Sequence, residues 1–285
     1  MTITYTNEKG TLKLYGDGNH AFNICEVSGL EPPTKVRHLE SYISEDGCIE
    51  ASSQYNQRII TVSGDVKSSY SENGTTDAPT LLKNAAKILC KKGSLAIEAN
   101  GIKRKINVNE ATLTIGKRYR SLCTFVIQMT CDYPHFSDIL PTDTTIFKIN
   151  KFLTKDSVFP LVLSERISEG IIQNLGDTKN YPVIAIRKFS DTAGVSTIKI
   201  TNKTTGKSIV FNKSVALGEE IIIDIYRRTV TSSIDNNIIN TLDRFYSLSD
   251  MWLEEGENVI NVTIGGLERG IEVIITTSNE YTEAI

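Results

Sequence analysis

The chain has 285 residues and a nearly balanced charge, with 31 Lys and Arg against 34 Asp and Glu and a formal net charge of −3. This balance argues against a dedicated nucleic-acid binder, and the 40% of hydrophobic residues argues against a disordered chain. No run approaches the roughly 18 consecutive apolar residues of a membrane helix, and residues 1–7 lack the features of a secretion signal. The length predicts about two domains, which we expect to fold in the cytoplasm.

Short β-strands separated by Gly, Asn and Asp dominate the sequence. Their β-branched residues, with apolar and polar positions in alternation, are typical of half-buried antiparallel strands. Asn100-Gly101 separates two of them and is a strong signal for a two-residue hairpin turn. In chain order, the predicted strands cover residues 58–62, 94–98, 102–108, 122–129, 181–186, 197–200, 221–225, 258–264 and 271–276.

One segment has a helical period instead. Asp77 is positioned to cap its start, Pro79 suits its first turn, and Gly93 stands where a left-handed residue would end it. The sequence therefore predicts a single amphipathic helix over residues 79–92, whose lysines face outward. Its apolar face is formed by Leu81, Leu82, Ala85, Ile88 and Leu89.

A polar, turn-rich stretch near residues 134–150 predicts the boundary between a domain of residues 1–140 and a domain of residues 146–285. Charge is polarised within the first domain. Residues 1–82 carry 6 basic and 11 acidic groups, whereas residues 83–120 carry 10 basic and 2 acidic groups. Such patches favour head-to-tail association of subunits, although a merely solvated surface would have the same composition.

Lys103 and Lys105 are the candidate subunit-interface residues within the basic segment. Successive side chains of a strand point to opposite faces, so these two lysines share one face. Arg104 falls on the apolar face, together with Ile102 and Ile106. We therefore expect Arg104 to lie near a strand edge or to pair with a carboxylate.

The sequence offers no catalytic, metal-binding or cofactor-binding site. The three histidines are isolated, and the sequence has neither a nucleophile elbow nor a phosphate-binding loop. Glu254 and Glu255 are adjacent carboxylates, but a solvated loop explains them better than an acid pair acting on a glycosidic bond. The five cysteines form no Cys-x-x-Cys motif and are expected to be reduced and mostly buried thiols. We therefore predict a protein that is not an enzyme and takes no cofactor.

Five turn motifs in the second half resemble, in the same order, motifs of the siphophage distal tail protein family. They cover Asn174–Ile184, Ile200–Gly206, Val215–Asp224, Arg228–Val230 and Trp252–Ile260, and weaker similarities lie at residues 27–33, 58–62 and 131–136. Glu255 is a departure, because proline is commoner at that position in the family. The matching positions, which we interpret as structural turn residues, are Asn174, Gly176, Asp177, Pro182, Asn202, Thr205, Gly206, Gly218, Asp224, Trp252, Gly256 and Asn258.

The resemblance implies an all-β fold with one helix: a split-barrel-like domain over residues 1–140 and a galectin-like β-sandwich over residues 146–285. It also implies a homohexameric ring at the distal end of a phage tail, assembled in the host cytoplasm. The implied partners are further copies of the chain, the tail tube protein, a tail-associated fibre or lysin protein, and receptor-binding or baseplate proteins. Neither a membrane nor a specific nucleic-acid sequence is an implied partner, although DNA can pass through such a ring.

Two other functions are compatible with this sequence. A carbohydrate-binding tail-tip component is the first, because galectin-like sandwiches elsewhere bind sugars, but a shared fold is a weak argument for a shared function. A cell-wall hydrolase is the second, and the lack of recognisable acids or nucleophiles disfavours it.

Overall fold

The computed structural model of the chain describes residues 1–42, 46–71, 74–119, 121–151, 164–189, 195–266 and 270–285. It divides into two compact units, the first formed by Met1–Ile139 and Tyr281–Ile285 and the second by Leu140–Glu280. The last residues thus pack with the first unit, whereas the predicted domain of residues 146–285 assigned them to the second. Ala284 explains this: its side chain is buried in the first core and its amide donates to the Leu30 carbonyl at 3.0 Å.

The first unit consists of β-strands and the one α-helix among the described residues. Its elements are β1 (Thr2–Asn7), β2 (Gly10–Tyr15), β3 (Phe22–Ser28), β4 (Lys35–Ser41), β5 (Cys48–Tyr55), β6 (Arg58–Lys67), β7 (Ser69–Ser71), β8 (Gly74–Thr76), α1 (Ala78–Leu89), β9 (Gly93–Ala99), β10 (Ile102–Val108), β11 (Glu110–Arg118), β12 (Leu122–Cys131) and β13 (Phe136–Asp138). The main sheet has the order β11-β12-β6-β3-β2-β1-β9-β10-β13, and β25 (Glu280–Tyr281) follows β13. β4 pairs with β5, and β7 pairs with β8. This unit is therefore mostly antiparallel β-structure.

The core of the first unit lies between the helix and the main sheet. Along β6 the side chains alternate between buried and more exposed positions, as one covered face requires. The predicted apolar face of the helix is confirmed: Leu82, Ala85 and Leu89 are buried, and Leu81 and Ile88 pack against the same core. Burial of this stripe holds the helix on the sheet.

The helix ends differ from the predicted 79–92. Asp77 is the N-cap, but its backbone carbonyl, not its side chain, receives the amides of Thr80 and Leu81. The helix ends at Leu89, and Gly93 is the first residue of β9 instead of a left-handed cap. A Cβ at position 93 would lie 2.7 Å from the Thr6 carbonyl oxygen, so this glycine permits the close approach of β1. The predicted role of Gly93 was wrong.

The Asn100-Gly101 hairpin is confirmed. Both residues have positive φ, 53° and 80°, and β9 and β10 pair antiparallel on either side of them. Positive φ at both central positions is the geometry of a type I′ turn, which asparagine and glycine adopt most readily. The turn thus brings the basic strand β10 beside β9.

The second unit contains two sheets whose inner faces share one core. Its elements are β14 (Thr142–Lys151), β15 (Ser164–Ile167), β16 (Glu169–Asn174), β17 (Val183–Lys188), β18 (Val195–Asn202), β19 (Lys207–Phe211), β20 (Glu220–Asp224), β21 (Thr229–Ser232), β22 (Asn236–Asn237), short 3-10 turns at Ile239–Thr241 and Leu248–Asp250, β23 (Gly256–Gly266) and β24 (Ile271–Thr277). One sheet has the order β15-β14-β24-β17-β20-β21-β22 and the other β16-β23-β18-β19. Isoleucines from both sheets, such as Ile186 and Ile260, are buried in that core. Each predicted strand overlaps a strand of the structure, although β17 begins two residues after the start of the predicted 181–186 segment and β20 ends one residue before the end of the predicted 221–225 segment.

The five cysteines are free thiols, but the expectation that most are buried was wrong. Cys123 and Cys131 are buried in β12, where alternation directs them inward, whereas Cys25, Cys48 and Cys90 are exposed. Burial raises the pKa of the Cys131 thiol to about 12. None of the helices in the described part of the chain is long and apolar enough to cross a membrane.

Candidate functional site and interaction surfaces

Three asparagines of the turn motifs converge on the segment 252–256. Asn174, Asn202 and Asn258 come from different motifs, and each is at most 2% exposed. The Asn258 side-chain amide donates to the Glu254 carbonyl at 2.7 Å, and the Asn174 amide donates to the same oxygen at 3.3 Å. The Asn202 amide reaches the Trp252 carbonyl at 3.0 Å. These side chains provide the hydrogen bonds that buried loop backbone requires.

The first two motifs also form tight local turns. The Asn202 side-chain oxygen accepts the amides of Thr204 and Thr205, which is an Asx turn leading into Gly206 at φ 71°. At Gly176, a Cβ would lie 2.2 Å from the Glu280 carbonyl oxygen, so only glycine fits the approach of that strand. These residues therefore set backbone geometry.

The remaining residues of the first motif complete the same corner. Asp177 is exposed, and its backbone amide donates to the Glu280 carbonyl at 3.1 Å. Pro182 is buried, and its carbonyl accepts the amide of Ile225 at 3.3 Å. Their contacts are made by the backbone, which is consistent with a structural role.

The third motif lies apart from this asparagine cluster, around a buried carboxylate. Glu219 is 2% exposed and accepts the Ala216 amide at 2.7 Å, the Ser232 hydroxyl and the Lys213 ammonium at 2.9 Å. Burial alone would raise the pKa of Glu219, but these donors hold it below its ordinary value. Hydrogen bonds to Asp235 and Glu219 raise the pKa of Lys213. Apart from a Gly-Glu pair, no motif in the sequence pointed to this network.

Gly218 and Asp224 mark the two ends of that motif. Gly218 turns at φ 76° and donates its amide to the Lys188 carbonyl at 2.9 Å. The Asp224 carboxylate accepts the Arg227 amide at 2.8 Å and so closes the turn after β20. Both positions shape the backbone around strand β20.

The last motif carries the family departure at Glu255. Trp252 is half-buried, its ring lies 4.3 Å from the Lys179 ammonium, and its indole N–H donates to the Glu254 carboxylate at 2.5 Å. Gly256 turns at φ 87°. Glu255 itself is exposed, so the Asn258 side chain, and not a proline ring, fixes this loop.

A scan against family models identifies the second unit. Residues 175–281 match the model described as the C-terminal domain of the siphovirus-type tail component. Most of the second unit is therefore similar to the siphovirus-type tail component family. The matched residues include most of the motif positions, so the resemblance to distal tail proteins is confirmed. Members of this family are structural components and not enzymes.

Solved structures give the corresponding result for the fold. The chain is similar to the crystal structure of the Dit protein of phage SPP1, described as a paradigm of the hub adsorption apparatus of phages that infect Gram-positive bacteria, with a TM-score of 0.63 and 13% identity. The alignment covers 97% of this chain and 98% of that one. The activated baseplate of phage P2 matches with TM-scores of 0.47 in its calcium form and 0.44 in its strontium form, each at 14% identity and covering 96% of this chain and 97% of that one. Comparison with curated proteins finds no match.

The two candidate interface lysines have different environments. Lys103 is exposed, and its ammonium lies 3.0 Å from Glu98, directly across the β9–β10 pair. Lys105 is half-buried and donates to the Ile139 carbonyl at 2.9 Å. Lys103 is therefore the more accessible charge.

Arg104 is bound to the C-terminal segment. Its guanidinium lies 3.6 Å from the centre of the Tyr281 ring and donates to the Glu283 carbonyl at 2.6 Å. The sequence predicted an edge position or a carboxylate partner, whereas these contacts are to an aromatic face and a backbone oxygen. The partners could not be inferred, because they lie up to 179 residues away.

Arg58 is a structural centre of the first unit that the sequence analysis did not single out. It is 3% exposed and donates to the Pro134, Gly29 and Glu31 carbonyls at 2.6–2.7 Å, and also to the Thr282 carbonyl. Its guanidinium stacks 4.6 Å from the centre of the Phe136 ring, and burial lowers its pKa. One cation thus ties together loops that are distant in sequence.

Among the strands of the first unit whose side-chain burial is described, those of the β4–β5 hairpin are the most exposed. Apart from Val36 and Ser53, every residue of the two strands is exposed. Leu39, Ile49 and Tyr55 are large apolar residues among them, with exposed fractions of 50%, 53% and 37%. The hairpin is thus an uncovered surface of the first unit.

No chemistry of a metal site accompanies these surfaces. In the described ranges, no group of three His, Cys, Asp or Glu side chains is placed to hold a metal ion. What the described geometry provides is turn-forming backbone, exposed β-structure and surface charge.

Proposed function

We propose that this chain is a distal tail protein: six copies form a ring at the end of a phage tail tube and join it to the tail-tip or baseplate proteins. The observation that carries the proposal is the similarity in fold to SPP1 Dit over nearly the whole of both chains, together with the family match of the second unit. A ring of identical copies requires a heterologous interface that closes after a fixed number of subunits. Its location would be the distal end of the virion tail.

The two units correspond, in this proposal, to a split-barrel-like ring-forming domain and a galectin-like β-sandwich. The assignment of the first unit is supported by its long, mostly antiparallel sheet and by the single packed helix among its described residues. The assignment of the second unit as a β-sandwich is supported by its two sheets around a shared apolar core. The turn residues of the second unit would then hold the sandwich in register.

The β4–β5 hairpin is the element that we assign to contacts between subunits. A lone two-stranded hairpin is only marginally stable in water, and its exposed edges are templates for pairing. In a monomer, the exposed side chains of Leu39 and Ile49 contribute little hydrophobic stabilisation. A neighbouring copy would cover them and so remove their apolar surface from water. The basic strand β10, through Lys103 and Lys105, would contribute charge to the same ring.

Light scattering of the purified chain tests the ring, and the cysteines map its contacts. We expect a hexamer, either alone or on addition of tube or tip proteins. Cys48, in the hairpin, should be protected from iodoacetamide in the ring, whereas Cys90, on the first unit outside the hairpin, should react equally in ring and monomer. A monomer that binds neither tube nor tip protein at high concentration would contradict the proposal.

Matched substitutions separate the hairpin from other exposed apolar residues. Ile49→Glu should abolish the ring and leave the melting temperature of the monomer unchanged. Leu217→Glu, at a position of the second unit that is also 53% exposed, should leave the ring intact. Equal effects of the two variants would remove the hairpin from the interface.

Salt dependence tests the charge. If Lys103 meets an acidic surface of the next copy, assembly should weaken with salt, since exposed charges are screened beyond about 8 Å at 0.15 M. Lys103→Glu should slow ring formation, and Lys105→Glu should add to the effect while also disturbing the bond to Ile139. Ring formation that is independent of both salt and these substitutions would show that the patch is solvated.

A further inference from the structure

Among the described residues of the second unit, one aromatic side chain is almost entirely exposed to solvent. Phe245 is 94% exposed, and it follows the 3-10 turn Ile239–Thr241 on the loop 240–246. A surface phenylalanine at this exposure contributes little to the folding of its own unit. Because the ring lies beside a hollow, a bound ligand could contact it.

The loop that carries Phe245 is held firmly. The Asp243 amide donates to the Val210 carbonyl at 2.9 Å, the Asn212 amide to the Thr241 carbonyl at 2.9 Å, and Leu242 forms a bridge with Phe211. The Asp243 carboxylate also accepts the Phe245 amide at 3.0 Å. The ring is thus presented by a preorganised loop, which lowers the entropic cost of binding.

Beside Phe245 lies a shallow hollow of about 320 Å³ with a mixed polar and apolar lining. Asn212, Asn240, Asp243 and Arg244 are among its lining residues, and they carry amide, carboxylate and guanidinium groups. The Asn212 amide lies 3.4 Å from the Asp243 carboxylate, so these two groups already face each other. Together they offer donors and acceptors within reach of one ligand.

An aromatic face beside planar hydrogen-bonding groups matches the chemistry of a sugar ring. A pyranose has an apolar face of C–H groups, which carry partial positive charge, and the face of an aromatic ring is negative. Its hydroxyls are both donors and acceptors, which amides, carboxylates and guanidinium groups can pair with. The volume lies at the lower end of small-ligand sites, roughly 300–1,000 Å³.

Other ligand classes fit this hollow less well. An ionic ligand gains no net charge from the lining, because it carries both the Asp243 carboxylate and the Arg244 guanidinium. A stable protein partner usually buries about 800 Å² on each side, which is more than this small hollow and one projecting ring provide.

We propose that the loop 240–245 and Asn212 form a binding site for a neutral saccharide, with Phe245 as the stacking platform. This inference is independent of ring formation, since it concerns the second unit alone. The site would let a tail component bind glycans of a surface that the tail meets.

A glycan array of neutral glycans, followed by titration of the best-bound sugar into the full chain, tests the site. We expect weak binding, and Phe245→Ala should weaken it about tenfold, the loss of roughly one aromatic contact. Arg244→Gln should weaken binding without altering the melting temperature, because the side chain is exposed. Phe189→Ala, at a phenylalanine of the same unit that is 54% exposed, should bind as the parent chain does.

Three outcomes would overturn the proposal. The first is that no glycan of the array is bound. The second is that Phe245→Ala binds the sugar as tightly as the parent. The third is loss of binding to a tail partner in Phe245→Ala without sugar binding by the parent, which would identify a protein-docking loop instead.

Discussion

The side-chain amide of Asn202 donates to the side-chain oxygen of Asn258 at 3.4 Å, and both residues are completely buried. This contact links two turn motifs that are 56 residues apart in the sequence. Since each asparagine also bonds to the 252–256 segment, the pair fixes one end of the second unit.

Replacing Asn258 should therefore destabilise the second unit. Asn258→Ala leaves the Glu254 amide without its side-chain acceptor and removes the shorter of the two amide bonds to the Glu254 carbonyl. An unpaired buried polar group costs about 1–3 kcal/mol. Chemical denaturation followed by circular dichroism measures the loss. Thr263→Ala, at an exposed position of the same strand, should change stability far less, and equal losses would refute the assigned role.

Glu219 predicts how the second unit responds to acid. Its folded-state pKa lies below the ordinary 4.5, so its stabilisation is complete above that value and is lost as pH falls through the folded pKa. Melting temperatures measured from pH 7 to pH 3 should fall in the acid range. Glu219→Gln should flatten this part of the profile, whereas Glu257→Gln, at an exposed carboxylate, should leave it unchanged.

Even the conservative substitution Arg58→Lys should destabilise the first unit. A lysine ammonium cannot match the planar fork that reaches four carbonyls, so Arg58→Lys should cost about 1–3 kcal/mol of first-unit stability. Limited proteolysis should then cut residues 281–285 faster. Arg37→Lys on the exposed strand β4 serves as the control, and similar melting temperatures for both variants would contradict this role.

Leu89 tests the packing of the helix. At 2% exposure, Leu89→Ala should cost about 2–5 kcal/mol as a large-to-small core substitution. Lys87→Ala, on the exposed face two residues earlier, should be nearly neutral. A loss at Leu89 well below that range, seen by thermal melting, would mean that the helix is not packed on the sheet.

Local patterns were sufficient for the parts of the fold that depend on neighbours in sequence. The alternation in residues 102–108 and the Asn100-Gly101 turn predicted a strand and a hairpin that the structure contains, and the apolar stripe predicted the helix face. The family followed from motif order, which needs no three-dimensional information.

The remainder depends on contacts that sequence separation hides. The β4–β5 hairpin was missed because its strands carry few apolar residues and bury neither face, so that the pattern of a core-facing strand is weak. Arg58 could not be assigned, since its carbonyl partners lie as far as 224 residues away. The convergence of Asn174, Asn202 and Asn258 is likewise a tertiary property, although each asparagine was recognisable as a turn residue.

Because Tyr281–Ile285 belong to the first unit, that unit is assembled from two ends of the sequence. During synthesis, its first 139 residues must wait while the whole second unit is translated, which takes on the order of ten seconds. Until then Arg58 and Arg104 lack the Thr282 and Glu283 carbonyls that they bind. A prematurely terminated chain would therefore carry an incomplete first unit, so that translation itself would withhold truncated copies from assembly.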